Sequence, residues 1–318
     1  MRALNLIAGT ETEMVHKFGN RVLHQWRNRG ETQIHAGLHK TGSTSLQDSL
    51  RVVGLLQNSH RSDFRDRENF YRVMSDASSN RLVISSEHVL GEMLDIYSSA
   101  AERFELIAGH LDQSRTILYV RPHPQWHVSA YAQLVQQGTE VTPEEYENRM
   151  ISTRYFSWNQ LAEDLLTISG PSARLEIRAA QNVVIDFARV IGVTLPQKSR
   201  RNESLSPLAL EAVRRLNREG FSVSSSARRA LATFRPESRL STSVFSRGFQ
   251  SKLIEMRGDW LQLAKTLNAT GAFLADSWQE SYDKEILCPV SEVFSSSDLD
   301  DAVSHIETHR GFEEPIQY

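Results

Sequence analysis

The chain has 318 residues, 40% of them hydrophobic and 24% charged, with a formal net charge of -3 at pH 7; this composition is ordinary for a soluble globular protein, and the length suits one large α/β domain or one domain with a helical appendage. The near-neutral balance excludes the basic footprint of a nucleic-acid binder. A single cysteine, Cys288, excludes an intrachain disulfide framework and a cysteine-based metal centre. Arginine far outnumbers lysine, a skew that codon usage explains before any role in binding. The apolar run from Ala3 to Ala8 is too short for a membrane span or a signal-peptide core, so the expectation is a cytoplasmic protein that does not cross a membrane.

Met14, Val15, Phe18, Val22, Leu23 and Trp26 recur at helical spacing and predict an amphipathic helix over 11–29. Thr32–Ala36 reads as a first strand. A glycine-containing loop follows, then a helix over Ser43–Leu56 with Leu46, Leu50, Val53 and Leu56 on one face. Arg81–Ser86 reads as a second strand and Ser99–Leu111 as a helix. Thr116–Val120 is a continuous apolar and β-branched run, the pattern of a buried parallel strand. A helix over Pro124–Gln137 follows, stopped by Gly138. Further on, Tyr155–Ile168 is a helix, Arg174–Ile177 a strand, and Val183–Ile191 a helix closed by Gly192. Beyond a polar linker at 199–206, Pro207–Arg218 and Ser251–Leu267 are helical, residues 222–249 show little periodicity, and the tail from Val293 is polar and loosely ordered.

Strands alternating with helices imply an α/β fold with three layers, a mostly parallel sheet carrying helices on both faces. The expected organisation is an N-terminal helical segment at 1–30, a core over 31–205, and a mainly helical extension over 206–318 that lines an acceptor site.

The stretch His35-Ala36-Gly37-Leu38-His39-Lys40-Thr41-Gly42-Ser43-Thr44-Ser45 stands between the first strand and its helix. Backbone N–H groups at a helix N-terminus attract anions, the helix dipole adds to that attraction, and glycines permit a sharp turn with close approach of a ligand. Gly37 and Gly42 have the spacing of the ATPase loop, yet Ser43 stands where that loop carries its lysine. Lys40 lies inside the loop instead. A Gly/Ser/Thr turn with a solvated lysine is the plain structural alternative.

Lys40-Thr41-Gly42-Ser43-Thr44 resembles the Lys-x-Gly-[ST]-[ST] loop of the sulfotransferases that use 3′-phosphoadenosine 5′-phosphosulfate. Those enzymes share a fold like that of the P-loop nucleotide-binding proteins. By that resemblance Lys40 stabilises the bridging oxygen as sulfonate leaves, Thr41 to Ser45 bind the 5′-phosphate, and no metal is needed; His39, beside Lys40, either faces the sulfonate or packs on the loop. A second family motif pairs a strand-end arginine with a serine eight positions on, both binding the 3′-phosphate. Arg121 and Ser129 match it, within Tyr119-Val120-Arg121-Pro122-His123-Pro124 and Ser129-Ala130-Tyr131. A surface ion pair and a small packed helix residue are the alternatives for these two.

Ile84-Ser85-Ser86-Glu87-His88 places two candidate bases after the second strand, on the edge where open α/β sheets bind ligands. Relatives that are bacterial or modify glycans often carry Ser-Glu here, so Glu87 is the first candidate to take the acceptor's proton and His88 the second. Arg200, Arg201 and Asn202 are candidate nucleotide contacts or a solvated linker. Trp126, Tyr155 and Trp158 are candidates for stacking or for the core.

The resemblance covers roughly residues 32–205, and the Arg-Lys-Gly segment of the cytosolic sulfotransferases has no counterpart. The expected donor is 3′-phosphoadenosine 5′-phosphosulfate, and the expected acceptor a hydroxyl on a carbohydrate or lipid-linked glycan. The competing readings are a nucleotide-dependent kinase and a non-catalytic nucleotide-binding protein.

Overall fold

The computed structural model describes residues 32–313 other than 60, 65, 109–113, 171–173, 180–181, 198–204, 233, 235–240, 270–294 and 309–311. The helix expected over 11–29 and the linker arginines 200 and 201 lie outside the described residues. In chain order the elements are β1 (Thr32–Ala36), α1 (Ser43–Val52), α2 (Arg67–Asn80), β2 (Val83–Ser86), α3 (Ala100–Ala108), β3 (Ser114–Val120), α4 (His123–Gln136), α5 (Pro143–Ile151), α6 (Trp158–Ser169), β4 (Arg174–Ala179), α7 (Val183–Ile191), α8 (Pro207–Arg218), β5 (Ser222–Val223), α9 (Ser225–Ala232), α10 (Arg247–Ala269), α11 (Ser296–Thr308) and β6 (Phe312–Glu313).

Four strands form one sheet in the order β2-β1-β3-β4, and every pairing is parallel. Period-two alternation sends Ile117 and Tyr119 to one face, where they join Leu46 and Leu50 of α1 and Val184 and Phe187 of α7 in a buried apolar cluster. Leu118 and Val120 point to the other face and are also buried. On the far side of the chain order, α3 packs on α6 and α6 on β4. This is an α/β architecture consistent with three layers. Tyr119 donates to Asp186 Oδ2 at 2.8 Å, and Arg178 Nε donates to the same oxygen at 2.7 Å, which ties β3, β4 and α7 together.

The polypeptide divides into two interleaved compact units. The first holds 1–120, 157–199 and 262–275; the second holds 121–156, 200–261 and 276–318. In the second unit, α4 packs on α8 and α8 on α11. Asn217 donates from Nδ2 to the Val135 and Thr139 carbonyls at 2.7 and 3.0 Å, satisfying the end of α4. Tyr131, Tyr146, Phe245 and Phe249 make a cluster of edge-on and stacked rings.

Several expected boundaries move for local reasons. The helix expected to reach Leu56 ends at Val52, because Gly54 adopts φ 70° and Leu55 N–H returns to the Leu50 carbonyl, a Schellman closure. Leu56 then bridges Val83. Arg81, expected in a strand, instead caps α2 with φ 52°. Ser157 accepts from Gln160 N–H and starts α6 three residues later than Tyr155. Helices α2 and α5 were not expected, although Asp66 and the Thr142/Glu145 capping box mark their starts. The segment 222–249 contains α9 and the start of α10. The tail expected to be loosely ordered forms α11, because Ala302 and Ile306 are fully buried. Trp126, Tyr155 and Trp158 are core residues, each at most 2% exposed. Among the described residues, no helix is long and apolar enough to cross a membrane.

Candidate functional site

Strand β1 is buried along its whole length and delivers the chain into the loop at Gly37. A Cβ on Gly37 would lie 2.4 Å from Ser43 Oγ and 2.6 Å from His35 Cε1, so only glycine fits between them. Lys40 has φ 65° and Gly42 φ 97°. For lysine that conformation is strained, and such strain clusters where a backbone is shaped for a ligand. Positive φ on either side of Thr41 turns the chain sharply here. Thr41 tightens it by donating its hydroxyl to the Leu38 carbonyl at 2.6 Å.

Gly42 is the N-cap of α1 and has no side chain to cap it. The first N–H groups of any α-helix lack intrahelical acceptors, so the donors of Ser43, Thr44 and Ser45 present a partial positive charge at the end of the loop. Thr44 and Ser45 are exposed, whereas Ser43 is buried beside the Glu87 carboxyl. The location follows from topology. The chain runs from β1 outward to β2 and then returns to β3 on the other side of β1. The carboxyl end of β1 is therefore the switch point, the place where open parallel sheets hold ligands.

Strand β2 ends beside it and carries both candidate bases. Burial raises the Glu87 carboxyl above its ordinary value; the Lys40 charge and the Ser43 hydroxyl pull it part of the way back. Glu87 Oε2 lies 3.8 Å from His39 Nε2. His88 Nδ1 lies 3.4 Å from Glu92 Oε2, and the His39 and His88 rings meet edge to face at 5.1 Å. His35 is engaged elsewhere: its Nδ1 is 2.8 Å from Ser85 Oγ, and burial pushes its pKa down to about 3, so it is neutral.

Three residues near this cluster escaped the sequence reading. Tyr97 is fully buried; its hydroxyl accepts from the His39 backbone N–H at 2.7 Å and lies 3.0 Å from His39 Nδ1. Ile96 and Tyr97 both adopt positive φ, at 39° and 53°. Arg103 donates to the His88 carbonyl at 3.0 Å. Glu92 had a local signal, four residues after His88. Tyr97 and Arg103 had none, because their partners lie distant in sequence.

In the second unit, Arg121 donates from a terminal nitrogen to Ser129 Oγ at 3.2 Å and from Nε to Gln125 Oε1 at 3.1 Å. The predicted pair is thus in contact, and Gln125 orients the guanidinium. Arg201 lies outside the described residues. Compared with protein-family models, curated proteins and solved structures, the chain matches none.

Proposed function

We propose that the chain is a sulfotransferase that moves a sulfonate group from 3′-phosphoadenosine 5′-phosphosulfate to a hydroxyl acceptor on a carbohydrate or glycolipid. The observation that carries this reading is the loop at the switch point. Its helix N-terminus has no capping side chain, and its lysine lies inside the turn at Lys40 rather than after Gly42.

The loop chemistry suits that donor. The backbone donors of Gly42 to Ser45 hold the 5′-phosphate, and Lys40 meets the charge that develops on the bridging oxygen as the sulfur–oxygen bond breaks. The acceptor oxygen forms the new bond to sulfur, its proton passes to Glu87, and adenosine 3′,5′-bisphosphate leaves. Glu87 lies close enough to Lys40 for the lysine charge to act on its carboxyl, so acid–base and anion-stabilising groups share one edge of the sheet. In the second unit, Arg121 and Ser129 offer the fork-like and hydroxyl donors of the kind the family uses for a 3′-phosphate.

Calorimetry with adenosine 3′,5′-bisphosphate tests the donor. Saturable binding is expected without Mg²⁺, and no binding at millimolar ligand by folded protein overturns the reading. Preference for ATP with Mg²⁺ would select the kinase alternative. Incubation with radiolabelled donor and a panel of glycans and lipids then tests transfer; bisphosphate binding without transfer would leave a non-catalytic nucleotide-binding protein.

A further inference from the structure

One group of side chains beside the loop has a chemistry that sulfonate transfer does not call on. Among the described residues, His39, His88 and Glu92 each offer one ligand atom, and the three atoms lie within 4.8 Å of one another. His88 Nδ1 and Glu92 Oε2 are 3.4 Å apart. That is the edge, about 3.4 Å, of a tetrahedron built on metal–ligand bonds of about 2.1 Å.

The residues around these ligands hold them in the way that the partners of metal-binding histidines do. The Tyr97 oxygen accepts from the His39 backbone N–H, and in the tautomer whose Nδ1–H donates to the same oxygen, 3.0 Å away, Nε2 of His39 carries the lone pair. Such a bond on the remote nitrogen is the usual way a ligating histidine is oriented. The strained Ile96-Tyr97 pair delivers the Tyr97 hydroxyl, and Arg103 holds the backbone of His88. Glu87 adds a second carboxylate, 3.8 Å from His39 Nε2.

We propose that His39 Nε2, His88 Nδ1 and a Glu92 carboxylate oxygen bind one divalent transition-metal ion of the zinc class, pinning the anion loop to the segment that leaves β2. Two imidazoles and one carboxylate suit Zn²⁺ and Co²⁺ and leave a coordination position open, whereas Mg²⁺ and Ca²⁺ favour all-oxygen sites. This assigns His88 to the ion and leaves Glu87 as the base. The site stands whether or not the chain transfers sulfonate.

The full chain, stripped with a chelator and dialysed, is titrated with Co²⁺ and then Zn²⁺. One equivalent of Co²⁺ should give a saturable visible absorption band of low-coordinate cobalt, which Zn²⁺ abolishes by displacement. His88→Ala and Glu92→Gln should each weaken binding at least about tenfold, with unchanged far-UV circular dichroism, whereas His305→Ala should bind as the parent does. Absence of saturable Co²⁺ binding below millimolar overturns the proposal, as does binding that neither variant weakens. If His88→Ala fails to fold, the nearly isosteric Glu92→Gln decides. Bisphosphate calorimetry on the metal-free chain judges the sulfotransferase reading separately, since it reads the loop without the ion.

Discussion

The Tyr97 hydroxyl receives the backbone N–H of His39 at 2.7 Å and lies 3.0 Å from His39 Nδ1, linking two residues 58 positions apart. Both are buried, so water does not replace that hydroxyl. Tyr97→Phe leaves the His39 N–H without its acceptor and should destabilise the protein by about 1–3 kcal/mol. Urea denaturation measures this. Metal affinity should fall by roughly 10–100-fold with all three ligands intact, an effect a purely structural role would not produce.

The turn at Gly37 depends on the absence of a side chain. Gly37→Ala places a methyl group against Ser43 Oγ and His35 Cε1. Displacing β1 or the start of α1 should cost about 1–3 kcal/mol, the usual range for overpacking. Bisphosphate binding should weaken together with the thermal midpoint. An alanine variant as stable as the parent, with unchanged affinity, would show that the loop geometry is not tightly determined.

Arg121 and Ser129 should contribute unequally to nucleotide affinity. Arg121→Lys keeps the charge but loses the fork and the contact with Gln125. Loss of a charge-assisted hydrogen bond of about 1.5–3 kcal/mol predicts roughly 10–100-fold weaker binding of adenosine 3′,5′-bisphosphate. Ser129→Ala removes one hydroxyl and should weaken it less. Adenosine 5′-phosphate, which lacks the 3′-phosphate, should bind both variants and the parent alike; calorimetry with the two nucleotides provides the comparison.

Stability should fall on mild acidification. Burial pushes the pKa of His35 and of His123 down to about 3 from an ordinary 6.5, and His127 is lowered well below the ordinary value by burial and by the neighbouring His123. Above pH 6.5 these groups are neutral in both folded and unfolded chains and favour neither. Below it the unfolded chain takes up protons that the folded chain refuses, down to about pH 3 for His35 and His123. Each such histidine therefore withdraws on the order of 1 kcal/mol per pH unit through that range. Urea midpoints measured from pH 7 to pH 5 should decrease steadily, and His35→Gln should flatten part of the slope.

What the chain order alone determined is local in origin. The β-branched and apolar runs at Thr32–Ala36 and Thr116–Val120, the helix closed by Gly192, and the helix opened by Pro207 all lie where their residues predict. The loop from Gly37 to Ser45 was legible for the same reason: glycine spacing and a displaced lysine act within one turn. So was the Arg121–Ser129 pair, separated by two turns of a helix. Tertiary packing decided the rest. The polar tail is helical at Ser296–Thr308 because Ala302 and Ile306 are buried there. His39, His88 and Glu92 converge because parallel pairing of β1 with β2 brings their exit segments side by side. Tyr97 reaches His39 through two residues held at positive φ, a conformation with an intrinsic cost. Propensity and periodicity govern a few neighbouring residues; a hydrogen bond across 58 positions forms only when the core between them has packed.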